Sequence, residues 1–191
     1  VVTPVESMWL AGWANRTESS CGTLTELYAK ALAIEDSEGG RLVLLTVDLI
    51  AVSRELALAV AGLVHQRWGL PRERLMICAS HTHCGPEVRP DKIPFFRIPP
   101  EYAKRIQPYT SWLSTHLADL VGAAFSDMQP ARLTGCQTTA PFAQNRRLLN
   151  PSLGSSGKST HSGDFAVDHD LPILEVTAID EGTIVAPSEA G

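Results

Sequence analysis

The chain has 191 residues, 44% of them hydrophobic and 19% charged, with a formal net charge of −5 and a pI near 5.7. That balance describes a folded globular chain and excludes a disordered one, and the length leads to the expectation of one domain with a sizeable core. Acidic balance and the lack of a Lys/Arg cluster argue against nucleic acid or an anionic membrane surface as partner, and no apolar run is long enough to span a bilayer.

In chain order, Leu27 to Ile34 is expected to form a strand, Glu38-Gly39-Gly40 a turn, and Leu42 to Val47 a fully buried second strand. Ser53 then opens a helix in which Leu56, Val60, Leu63, Val64 and Trp68 recur at helical spacing, and Gly69-Leu70-Pro71 closes it. A short strand, Leu75 to Ala79, follows. From Glu87 to Pro108 the density of proline predicts a long loop without regular structure. Tyr109, Trp112, Leu113, Leu117, Leu120, Val121, Ala124, Phe125 and Met128 form the apolar stripe of a second helix, ended by Pro130. His116 lies on that stripe and is read as a packed helix residue. Leu133 to Thr139 is an expected strand, Ser152 to Gly163 an expected mobile segment, and Leu171 to Ile179 with Thr183 to Ala186 an expected hairpin. The alternation predicts an α/β fold, a mixed β-sheet covered by helices in a layered single domain over residues 1–191.

The segment Cys78-Ala79-Ser80-His81-Thr82-His83-Cys84-Gly85-Pro86 carries the strongest chemical signal. On an extended backbone residues i and i+2 share a face, so His81 and His83 can point into one space at a strand end. Histidine is the commonest metal ligand and acid–base side chain, and strand ends are where a scaffold presents reactive groups. The same parity sends Cys78 and Cys84 to the other side, which disfavours a structural zinc site built from those four residues. Cys78 is read as a small buried hydrophobe and Cys84 as a loop thiol. Asp48, at the end of the preceding strand, has two readings: it orients an imidazole, or it caps the following loop or helix. Asp164, Asp168 and Asp170 around His169 are read as a solvated turn leading into a strand. Ser80 beside His81 does not make a nucleophilic triad, because strand neighbours face opposite ways, and no nucleophile elbow is present.

The chain resembles the N-terminal catalytic domain of the neutral/alkaline non-lysosomal ceramidases. The matching pieces run in family order: Trp9 to Trp13 with Arg16, Leu27 to Leu32, Val47-Asp48-Leu49, Ser80 to Pro86, Asn145-Arg146 with Asn150-Pro151, and Val167 to Asp170. The family usually has Ser at the position of Cys84. The resemblance implies that zinc is the cofactor, that His81 is a metal ligand, and that His83 lies beside the reacting centre. It also implies that Arg146 is needed for activity, that the substrate is a small-molecule N-acyl lipid such as ceramide, and that the setting is secreted or periplasmic. Phe95 and Phe96 would then help wall a groove for apolar tails. The family's other zinc ligands and its catalytic serine have no counterpart in these 191 residues. Two functions follow as alternatives: part of a zinc-dependent amide hydrolase, or a binding module that keeps the fold without the full metal site and nucleophile.

Overall fold

The computed structural model describes residues 1–142 and 167–179, which fall into two compact units, Val1–Met128 and Gln129–Gly191. The first unit is built on a three-stranded mixed sheet in the order β1-β2-β3, where β1 is Ala29–Glu35, β2 Arg41–Val47 and β3 Leu75–Ala79. β1 runs antiparallel to β2 through the turn after Glu35, with Ala29 opposite Val47 and Glu35 opposite Arg41. β2 runs parallel to β3, with Val43 opposite Leu75 and Val47 opposite Ala79. The crossover between them is α1, Arg54–Trp68.

α1 begins and ends where its sequence directs. The Ser53 side chain accepts from the Leu56 N–H, a cap that contributes about 1 kcal/mol, and Gly69 leaves the helix at φ 69°. Its Leu56, Val60 and Val64 pack with Val43, Leu45 and Val47 of β2. The long helix α3, Pro100–Ser126, adds Leu113, Leu117 and Val121 to the same core. Both helices therefore cover one face of the sheet. β2 is consequently not buried on both faces, as its apolar run suggested: Val43, Leu45 and Val47 are buried, while Leu42 and Thr46 are exposed. Met76 and Cys78 of β3 share that open face, so Cys78 is an exposed thiol rather than a core residue.

The Pro-rich segment is more regular than expected. Pro90–Lys92 makes a 3₁₀ turn, and Ile93–Phe96 a single-turn helix, α2, closed by Arg97 at φ 51°. α3 then starts at Pro100 and continues straight through Pro108. Proline in a first turn loses nothing, because that N–H has no helical partner. Pro108 does forfeit a bond, at a cost of roughly 3 kcal/mol. Burial of Ile106 with Met8, Trp9 and Ile98 on one side, and of Leu113 in the main core on the other, offsets it.

In the second unit, β4 (Ala131–Thr139) pairs antiparallel with β5 (Asp170–Ala178), Ala131 opposite Ala178 and Thr139 opposite Asp170. Asp168 accepts from the Asp170 N–H at 2.9 Å, the turn expected at the start of this strand. The expected strand Thr183 to Ala186 and the expected mobile segment Ser152 to Gly163 lie outside the described residues. Among the described residues no helix is long and apolar enough to cross a membrane.

Candidate functional site

Parallel pairing brings the C-terminal ends of β2 and β3 to the same sheet edge, the customary place for ligands in such sheets. The pairing continues past the strands: Ser80 donates its N–H to Val47 O at 3.1 Å, and Thr82 to Leu49 O at 3.0 Å. From the other side the N-terminal segment pairs with the end of the histidine loop. Ala11 N–H reaches Gly85 O at 2.8 Å, Cys84 N–H reaches Ala11 O at 3.1 Å, and Glu87 N–H reaches Trp9 O at 2.8 Å. The loop is thus held between two main-chain rails. Gly85 suits this closeness, since a Cβ there would lie 3.1 Å from the Asp48 carbonyl oxygen, tighter than ordinary contact.

The two histidines come together, though not on an extended chain. His81 has φ 57° and Cys84 φ 68°, left-handed conformations that cost a non-glycine residue about 1–2 kcal/mol each. The rings of His81 and His83 sit with centroids 5.3 Å apart at 66°. His81 Nδ1 is 2.8 Å from the carbonyl oxygen of Ile50. A carbonyl can only accept, so Nδ1 carries a proton and, in the neutral ring, Nε2 presents a lone pair. His83 is held differently. Its ring stands edge-on to Trp13 at 5.1 Å, and it lies over Gly12, whose φ is 98° and where a Cβ would be 2.6 Å from His83 Cγ. Both imidazoles are exposed.

Asp48 takes neither expected role: among the described residues it neither orients an imidazole nor caps the following loop or helix, whose cap is Ser53. Its carboxylate accepts from the Tyr28 N–H at 2.8 Å and from Ser80 Oγ at 2.9 Å, tying the start of β1 to the loop after β3. Beneath the loop Glu87 is fully buried and accepts two guanidinium bonds from Arg89, both at 2.7 Å. Those hydrogen bonds raise the pKa of Arg89 further above its ordinary value. A buried, bidentate pair of this kind fixes geometry. Arg16, quoted only for its place in the series, extends a guanidinium nitrogen to 3.3 Å from Cys84 Sγ. Phe95 is exposed and meets Phe96 edge-on, while Phe96 packs on the Trp9 cluster. His116 lies half-buried on α3, stacked on Trp112 at 4.9 Å. Arg146 lies outside the described residues.

No protein-family model matches the chain. Solved structures do. One, described as a ceramidase complexed with C2, aligns over 93% of this chain with a TM-score of 0.71 and 20% identity. Another, neutral ceramidase from Pseudomonas aeruginosa, aligns over 92% with a TM-score of 0.70 and 21% identity. The chain has a ceramidase-like fold. It spans 27% and 28% of the length of those two chains.

Within this ceramidase-like fold, the donor chemistry suits one zinc contact. His81, with its proton pinned on Nδ1 by a backbone carbonyl, has the arrangement typical of a metal-binding histidine. Among the described residues no group of three or more His, Cys, Asp or Glu side chains could enclose a metal. A catalytic zinc typically uses three protein ligands. The described residues therefore fit one ligand of such a set and not the whole of it. The sequence placed Gly12 and Trp13 in the matching series but gave them no role, and it did not single out the Ile50 carbonyl, because two act by through-space packing and the third is main chain.

Proposed function

We propose that this chain forms the histidine-bearing portion of a zinc-dependent amide hydrolase that cleaves the N-acyl bond of ceramide or a related N-acyl lipid. The observation that carries the reading is the oriented imidazole of His81, with Nδ1 bound to Ile50 O and Nε2 left available, at the strand-end site of a ceramidase-like fold. In this reading His81 holds the metal through Nε2. His83, fixed over Gly12 and against Trp13, stands beside the reacting atoms and holds or passes a proton there. Arg146 supplies a cation needed for activity. Zinc, when bound, would contribute Lewis-acid polarisation of the amide carbonyl.

Equilibrium zinc titration of the 191-residue protein tests the metal assignment. Binding should weaken by at least about tenfold in His81→Asn, a replacement that tolerates the left-handed backbone, and stay unchanged in Cys84→Ser. In a longer protein that also carries the remaining zinc ligands and the nucleophile, hydrolysis of an N-acyl sphingoid substrate should disappear with a chelator and in the same His81→Asn variant. Zinc binding or hydrolysis indifferent to His81 would overturn the reading. A second reading, a binding module with the fold but not the chemistry, is favoured by the incomplete ligand set among the described residues. It predicts no zinc uptake at micromolar concentration and no hydrolysis.

A further inference from the structure

A groove of about 620 Å³ opens in the first unit between the N-terminal segment and one side of α3. It shares no lining residue with the histidine site. Its volume lies in the range of small-molecule sites. Lys104, Pro108 and Trp112 are spaced at i, i+4 and i+8 and form one stripe along the helix, while Val5, Met8 and Tyr109 complete the apolar walls.

Two of these walls are fixed in place. The indole of Trp112 is 45% exposed, yet it is stacked nearly parallel on His116, with centroids 4.9 Å apart at 13°. Tyr109 is anchored through its hydroxyl, which donates to the Val2 carbonyl. A large apolar ring held rigid at a groove loses little entropy when a ligand covers it.

The charges at the rim are not equivalent. Arg105 donates to the Ser7 carbonyl, lies 5.3 Å over the Tyr102 ring and stands 3.7 Å from Glu6, so its charge is engaged. Lys104 is exposed and has no carboxylate partner among the described residues. One unengaged ammonium beside an apolar trough is complementary to one negative head group on an apolar tail.

We propose that this groove binds a single-chain anionic amphiphile, its carboxylate paired with Lys104 and its alkyl chain laid against Val5, Pro108 and Trp112. The site stands apart from the histidine site and does not depend on the hydrolase reading.

The test is calorimetric titration of the 191-residue protein with dodecanoate and dodecyltrimethylammonium below their micelle concentrations, and with dodecanol below its solubility limit. Dodecanoate should bind at one site, at least about tenfold more tightly than the other two. Lys104→Gln should abolish that preference, Trp112→Ala should weaken the binding of all alkyl chains, and His81→Asn should change neither. Equal affinity for the three head groups, or dodecanoate binding untouched by Lys104→Gln, overturns the proposal. So does a groove occupied by a second copy of the chain, seen as a concentration-dependent mass in sedimentation that dodecanoate does not reverse.

Discussion

At Gly12 the lack of one atom leaves room for the His83 ring. A Cβ on this residue would lie 2.6 Å from His83 Cγ and 2.7 Å from Nδ1, and the backbone sits at φ 98°. Gly12→Ala should therefore displace the imidazole and destabilise the protein by about 1–3 kcal/mol. Imidazole resonances of His83 and a urea melt would report the two effects, and an unmoved ring with unchanged stability would contradict the contact. The histidine pair itself was legible from its spacing and its place after a short apolar run. Its surroundings were not. Ile50 acts through a carbonyl that every residue possesses, and Gly12 acts through a side chain it lacks. Asp48 was open between two roles and takes a third, because its partners, the Tyr28 N–H and Ser80 Oγ, are brought to it by strand pairing and are distant in sequence.

Between elements, α1 packs closely on α3. Trp68, the last residue of α1, donates its indole N–H to Ala118 O at 3.3 Å and lays its ring over Gly122. A Cβ at Gly122 would fall 2.1 Å from Trp68 Cζ2. Gly122→Ala must part the helices or turn the indole, and we expect a loss of roughly 1–3 kcal/mol, measured as a lower denaturation midpoint at unchanged slope. Trp68→Phe should recover part of the loss in the double variant. A neutral Gly122→Ala would show that the helices are not in this contact. The boundaries of α1 were readable from Ser53 and Gly69, and β3 spans the residues its apolar run marked. The first turns of α3 were hidden because Pro100 and Pro108 read as breakers. The helix in fact starts at Pro100 and continues past Pro108, with Ile106 and Leu113 buried on either side of that proline.

For the molecule as a whole, the first residues of the chain are part of the folded unit. Val2 is buried, its N–H donates to Leu27 O at 2.8 Å, and its carbonyl accepts the Tyr109 hydroxyl. Burial pushes the pKa of the Tyr109 phenol well above its usual value of roughly 10. Below that value the phenol is neutral whether the chain is folded or unfolded, and its contribution to stability is fully present. As pH rises further the unfolded chain releases the proton first, so stability falls towards the folded-state pKa. Denaturant melts from pH 8 to 11 should show this alkaline decline, and Tyr109→Phe should flatten it. An identical slope in the variant would remove Tyr109 as the cause. The mixed sheet and its helices were expected from the alternation of patterns. That the helices cover one face only was not, since an apolar run such as Leu42 to Val47 does not say how many of its sides are occupied.

The three-stranded order leaves β3 at a margin, and among the described residues no strand bonds to its outer side. An edge of this kind is a template for main-chain addition; here the Leu75 carbonyl already accepts from the Arg72 guanidinium, and Met76 and Cys78 beyond it are exposed. A peptide laid there would run about 4.8 Å from the backbone that delivers His81. It would widen the scaffold next to the imidazoles while leaving the packed interior untouched.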